Sequence, residues 1–301
     1  MDPAEAIDAL LEELYRQKAA GVKRISVSDE SVALLKELAG GATVSVAPKP
    51  AALVTIAPVA KPVVVRPATP VTKNEGMIIV SSPLPDPPVI QLPSGTKAEQ
   101  LLWLQKTIET CEVTQKHLEG KKALLGRGSE TAKVFFVGEA PALEEVEASR
   151  SFVGPAGELL SKIISATGLT EKECYFANLM TWRPKPPTAF GKRPPNASEV
   201  AFNRPYLLAQ IEIIKPKIIV AVGAQAFGAL THLTTPIMQM RGQWQKVDGL
   251  EVLPTLHPNY LLHSPSLSNK RLVWEDFMQI MTKLGMPISD KQQAYFLPAQ
   301  T

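Results

Sequence analysis

From residue 97 onward, short apolar runs alternate with stretches of helical period. Four of the runs read as strands: KVFFV (133–137), CYFANL (174–179), KIIVAV (217–222) and EVLPTL (251–256). The first of these is apolar at successive positions, as a buried strand is. Helical periods precede and separate the strands. KAEQLLWLQKTIETCEVTQKHLEG reads as a single helix closed by Gly120. Further helices are predicted at 156–168, 198–214, 224–233 and 267–285. Strands alternating with helices argue for βαβ units. The predicted fold class is α/β, a three-layer α/β/α sandwich with a short four-stranded parallel sheet. Residues 286–301 read as a tail.

The chain before residue 97 has a different character. Asp2-Pro3 caps and starts a helix through Ala4 to Ala20, stopped by Gly21, and VALLKELAG (32–40) forms a second. From Thr43 to Pro93, eleven prolines arrive among Val, Ala and Thr. Proline removes backbone donors and favours extended chain, so this stretch reads as a semi-rigid linker without a packed core. MIIVSS (77–82) is its only strand-like run. The expected organisation is a helical segment at 1–42, a proline-rich, disordered linker at 43–96, a globular domain at 97–285 and the tail.

Composition narrows the setting more than the chemistry. At 301 residues with net charge +3, the chain permits a nucleic-acid partner without requiring one. Cys111 and Cys174 supply no disulfide framework. No apolar run approaches the roughly 20 residues of a membrane span, and the acidic N-terminus is unlike a signal peptide. An intracellular, cytoplasmic protein with no membrane contact is expected. GRGSETAK (126–133) lacks the ending of a phosphate-binding loop, and two nearby histidines, His257 and His263, do not make a zinc site.

Ligands of open α/β sheets bind outside the carboxyl ends of the strands. The first strand opens into Gly138-Glu139-Ala140-Pro141, the second ends at Asn178, the third delivers Gly223 and the fourth runs into Leu256-His257-Pro258. An acid, an amide and an imidazole thus share one rim. Each alone has an ordinary explanation as a cap, a turn residue or a loop histidine, and their joint placement is the signal. From residue 183 to residue 204 lie Arg183, Lys185, Lys192, Arg193 and Arg204 against a single acid, Glu199. This strip is either a solvated loop or a contact for nucleic-acid phosphates.

Six motifs in order carry a specific resemblance: GEAP (138–141), SFVGPAGELL (151–160), YFANLMTWRP (175–184), RPYLLAQIEIIKPKIIVAVGAQA (204–226), MRGQW (240–244) and LHPNYLL (256–262). The set resembles the uracil-DNA glycosylase superfamily, closest to family four, over residues 98–285. The resemblance implies an enzyme that flips uracil from DNA and hydrolyses its glycosylic bond in base excision repair. It implies Phe152 as the stacking platform, Asn178 as reader of the uracil edge, and backbone contacts at Gly138 and Ala140. His257 would donate to the carbonyl oxygen that gains charge, and Glu139 would stabilise the cationic sugar and orient water. Glu144 and Glu145 are secondary candidates for that acidic role. Arg183, Lys185, Lys192 and Arg193 would contact phosphates, and Asn259, Tyr260 and Leu261, with Leu262, would press the minor groove and fill the vacated stack.

The departures are as informative. Family four holds a [4Fe–4S] cluster on four cysteines, and here the matching positions carry Cys111, Thr114, Trp182 and Asn203. Three of these cannot supply thiolates, so no cofactor is expected. The Gly that closes the family's first motif is Ala142 here, and the Pro before Phe-Val-Gly is Ser151. No histidine in 182–196 is placed for a covalent sugar adduct and no lysine for strand nicking, so a monofunctional enzyme is expected; a monomer is expected as well. Residues 1–93 are the expected tether to a protein partner. The alternatives are a catalytically weakened binding module for DNA or a replication partner, and a glycosylase for another deaminated base.

Overall fold

The computed structural model describes residues 84–186 and 193–297. The two N-terminal helices, most of the proline-rich linker and Lys192 lie outside the described residues. The described part begins with an extended stretch, residues 84–96, that the proline pattern assigns to the linker. Its Leu84, Ile90 and Leu92 pack on the domain, and the Pro93 carbonyl accepts from Gln100 Nε2 at 2.8 Å.

Helices α1 (Lys97–Thr110) and α2 (Glu112–Leu118) replace the single helix expected over 97–120. Cys111 breaks it with extended dihedrals (φ −69°, ψ 121°). The β-branched Thr110, Val113 and Thr114 weaken the helical period there, and the break lets α2 bury Thr114 and Leu118. Strand β1 (Arg127–Gly128) then leads into β2 (Val134–Gly138), the short α3 (Leu143–Glu147), α4 (Gly154–Thr167), β3 (Cys174–Asn178) and α5 (Ala197–Ile214). Next come β4 (Ile218–Val222), α6 (Ala224–Thr231), α7 (Ile237–Met240), β5 (Gln245–Val247), β6 (Leu250–Thr255), α8 (Pro258–His263), α9 (Leu267–Lys283) and α10 (Asp290–Gln293).

The sheet runs β1-β3-β2-β4-β6-β5. The four expected strands form its parallel centre, and the expected four-stranded sheet is extended to a mixed six by antiparallel edges β1 and β5. Those edges are two and three residues long, too short for a periodic signal. Every residue of β2, β3 and β4 is buried. Alternate side chains separate cleanly: Val134, Phe136, Phe176 and Val220 face α4 and α9, while Phe135, Val137, Tyr175 and Ile219 face α5 and α6. A third cluster joins α1, α2 and α5 around Trp182. The residues after Gly285, read as a tail, return to the domain: Trp274 Nε1 donates to the Gln292 carbonyl at 2.6 Å, and Tyr295 packs on its ring. No helix among the described residues is long and apolar enough to cross a membrane.

One buried ion pair fastens the end of β6. Asp276 on α9 is fully buried. Its carboxylate accepts from Arg241 Nη2 at 2.7 Å, from Arg241 Nε at 3.2 Å and from Thr255 Oγ1 at 2.7 Å. The same guanidinium donates to the Leu272 carbonyl. Burial pushes the Asp276 carboxyl up to about 6, against the pull of Thr255 and Arg241. A carboxyl raised on folding binds its proton more tightly in the folded state, so its ionisation costs stability as pH rises from about 4 to about 6. Arg241→Met strands the charge and raises that carboxyl further. Urea unfolding is expected to show a loss of about 3–5 kcal/mol at pH 7.5 and a smaller loss at pH 5, where protonation removes the buried charge.

Candidate active site

The register Gly138↔Asn178 places the ends of β2 and β3 side by side. Pairing continues past both ends, with Leu179 N donating to the Gly138 carbonyl at 2.9 Å and Met180 N to the Glu139 carbonyl at 3.0 Å. A Cβ on Gly138 would lie 2.2 Å from Asn178 Oδ1 and 2.8 Å from Phe152 Cζ. Three residues from three segments therefore meet at one point, and only a hydrogen fits there. Glu139, the next residue, is half-buried, and its carboxylate makes no hydrogen bond among the described residues. Its carboxyl is raised by burial alone.

Phe152 is held in an unusual backbone conformation, φ +55°. A bulky residue adopts it only where its surroundings impose it. Arg127 supplies one restraint, donating from Nη2 to the Phe152 carbonyl at 3.1 Å and from Nε to the Ser151 carbonyl at 2.6 Å. The Arg127 guanidinium also lies over the Phe176 ring at 4.7 Å, and Phe176 packs on Phe152 at 5.7 Å. Gly157 gives the turn room, since a Cβ there would stand 2.2 Å from the Phe152 carbonyl oxygen.

Glu145 supplies the other restraint. The resemblance makes it a secondary candidate for the acidic role, and in the structure its side chain is buried and already engaged. Oε2 accepts from Ala142 N at 2.7 Å; Oε1 accepts from Phe152 N at 2.5 Å and from Asn178 Nδ2 at 3.0 Å. Burial pushes this carboxyl up and the three donors pull it down, with burial dominating. The available signal was spacing: Ala142 and Glu145 stand as N-cap and third residue of α3, the positions of a capping box.

His257 caps α8 at the far side of the rim. Its Nδ1 accepts from Asn259 N at 3.1 Å, which puts the proton of the neutral ring on Nε2. It sits against Gly223, where a Cβ would be 3.6 Å from the His257 Cβ. The strand order sets Asn178, Glu139, Gly223 and His257 along one edge of the sheet. The residues after His257 form a helical turn rather than a loop. Leu261 points into the core at 4% exposure, because its helix must bury one face, while Tyr260 and Leu262 are 40% and 42% exposed. An outward role belongs to those two and not to Leu261.

The basic strip is partly committed elsewhere. Arg193 donates to both oxygens of buried Glu199, at 2.7 and 2.6 Å, and to the Lys185 carbonyl at 2.8 Å. Glu199 also accepts from Asn196 N at 2.8 Å, so the pair closes the cap of α5 and Arg193 is a structural cation. Lys185 pairs with Glu119 at 2.8 Å on the open surface. Arg183 is half-buried and Ala140 packs beside the Trp182 cluster.

Around Trp182 the residues are Cys111, Val113, Phe202 and Tyr206. The indole is 2% exposed and stacks on His117 at 4.8 Å with rings 5° from parallel. Asn203 Oδ1 accepts from both Thr181 N at 3.1 Å and Thr181 Oγ1 at 2.9 Å. Among the described residues, no group of three or more His, Cys, Asp or Glu is placed to hold a metal ion.

The contact at Gly138 generates a direct expectation. Gly138→Ala overpacks against Asn178 and Phe152, and urea unfolding is expected to register a loss of about 1–3 kcal/mol.

The sequence model of the uracil DNA glycosylase superfamily matches residues 125–278, about half the chain. A protein of Thermotoga maritima named type-4 uracil-DNA glycosylase is 35% identical over 185 residues, covering 60% of this chain and 93% of the relative. One of the same name from Pyrobaculum aerophilum is 34% identical over 172 residues, covering 54% and 85%. A third, from Sulfurisphaera tokodaii, is 35% identical over 167 residues, covering 52% and 73%. On the match of the family model and the extent of these relatives, the chain belongs to the uracil DNA glycosylase superfamily.

Proposed function

We propose that the protein is a monofunctional uracil-DNA glycosylase acting in base excision repair without an iron–sulfur cluster. The observation that carries the reading is the close meeting of Gly138, Phe152 and Asn178, with Glu139 and His257 on the same rim. Relatives named for this activity support it. The catalytic domain is assigned to residues 97–285, with residues 1–93 as a tether for a protein partner.

In this reading the flipped base stacks on the Phe152 ring, and the Asn178 amide meets its edge. Backbone at Gly138 and Ala140 approaches closely because Gly138 carries no side chain. As the bond to the sugar lengthens, negative charge grows on the base carbonyl and His257 Nε2–H donates to it. Positive charge grows on the sugar, and the Glu139 carboxylate stabilises it and orients water. Its half-burial strengthens that interaction, since few waters screen it. Tyr260 and Leu262 take the place of the extruded base, and Arg183, Lys185, Lys192 and Asn259 contact the strand. Leu261 and Arg193 support that surface from beneath.

The test uses a single-stranded oligonucleotide with one uracil, followed by alkaline cleavage of abasic sites. Wild type is expected to cut. Glu139→Gln is expected to lose about 10²–10⁴-fold and His257→Ala about 10²–10³-fold, with Asn178→Ala also impaired. Activity needs ionised Glu139. Since burial raises its carboxyl, activity should fall as pH drops through a value above the ordinary glutamate range, and Glu139→Gln should remove that limb. Binding without abasic sites would establish a binding module instead, and cutting only at hypoxanthine a different base specificity.

The residues at the family's cluster positions do not fit that group. Cys111 is the one thiol, Trp182 fills the space with an indole, and the Asn203 amide is engaged by Thr181 and the Glu199 carbonyl. Protein purified anaerobically is expected to hold substoichiometric iron and to lack broad visible absorption. Stoichiometric iron would overturn this.

A further inference from the structure

We propose that Glu145 sets base selectivity by locking the Asn178 amide in the one orientation that accepts uracil and refuses cytosine. The inference rests on the reading of Asn178 as the residue that meets the base edge.

The argument is one of donors and acceptors. An asparagine amide can be turned over, exchanging oxygen for nitrogen with almost no change of shape. Left alone in a pocket, Asn178 would suit either of two opposite edges. Uracil presents an N3–H donor beside the O4 acceptor. Cytosine presents an N3 acceptor beside an N4 amine donor. The two demand opposite amide orientations, so base selectivity depends on which orientation the protein permits.

Glu145 permits one. Its carboxylate accepts from two backbone N–H groups, Ala142 N at 2.7 Å and Phe152 N at 2.5 Å, and neither can reverse its role. They fix the carboxylate as an acceptor facing Asn178, and Nδ2 donates to Oε1 at 3.0 Å. Turning the amide over would bring Asn178 Oδ1 against Glu145 Oε1, two buried acceptors at hydrogen-bond distance with no proton between them. Asn178 is 4% exposed and Glu145 7%, so water is poorly placed to relieve the clash. The permitted orientation directs Oδ1 towards Gly138, as the 2.2 Å approach to its Cβ position records. That oxygen is available to accept from uracil N3–H, and the second Nδ2 hydrogen to donate to O4. Glu145 acts through Asn178 and is a positioning residue. The same carboxylate holds the Phe152 backbone, so stacking face and reading edge are set by one group.

The test is equilibrium binding to single-stranded oligonucleotides carrying one 2′-fluoro-2′-deoxyuridine or one 2′-fluoro-2′-deoxycytidine, which resist cleavage and so separate recognition from chemistry. Glu145→Gln replaces one acceptor oxygen by an amide that can donate to Asn178 Oδ1, so both orientations become available. The uracil-over-cytosine preference of wild type is expected to fall at least about tenfold in Glu145→Gln, a change of about 1.4 kcal/mol. Asn178→Ala should abolish the preference. An unchanged preference in folded Glu145→Gln, with Asn178→Ala having lost it, would overturn the lock while leaving the base-reading role intact. Full preference in Asn178→Ala would overturn that role and the lock with it. A measurement on wild type guards against misfolding of the variant: one of the two Asn178 Nδ2 hydrogens should be strongly protected from solvent exchange. Unprotected exchange of both would also overturn the lock.

Discussion

A buried carboxylate with three donors organises one half of the site. Glu145 stands where the loop after β2, the strained turn before α4 and the end of β3 converge, and it bonds to each. Burying a carboxylate is costly unless its oxygens are occupied. Here every bond it makes also does positional work, because two hold backbone and the third holds a side chain. The unfavourable φ of Phe152 is tolerable in this setting, since Glu145 fixes its N–H and Arg127 its carbonyl. Breaking that pair of restraints would let the turn relax and the ring leave Gly138.

The other half of the site depends on a second buried acid. Asp276 reaches from α9 to Arg241 and Thr255, and Thr255 is the last residue of β6 before Leu256 and His257. The Thr255 carbonyl in turn accepts from Gly223 N at 2.9 Å, which ties the ends of β4 and β6 together beneath the imidazole. The site is thus assembled from loops, but the loops are fastened by charges set inside the core. Each charge is satisfied by groups of fixed direction, a guanidinium fork or backbone amides, which is what turns burial into geometry.

Away from the site, an aromatic cluster gathers around Trp182. Trp182, stacked on His117 and tilted against Phe202 at 5.9 Å, joins α2, α5 and the segment after β3. A large buried ring can hold such segments by area and shape alone. Among the described residues, the indole Nε1 is buried without a hydrogen-bond partner, a cost borne within this packing.

The parallel centre of the fold was legible because KVFFV, CYFANL, KIIVAV and EVLPTL are apolar runs separated by helical periods, and local pattern is enough to specify such strands. Glu139, Asn178 and His257 were legible because each immediately follows or ends a strand, where open α/β sheets present their ligands. The pairing of Arg193 with Glu199, the inward turn of Leu261 and the edge strands β1 and β5 were not legible. They depend on what lies across the fold, and short elements carry no period. Glu145 is the sharpest case: four residues past a proline and among other acids, nothing local marks it as buried. Local sequence determined the central strands, the long helices and which residue types reach the rim, since those follow from period and chain order. Tertiary structure alone decided which carboxylates are buried and what they hold, because that depends on donors brought from three separate segments.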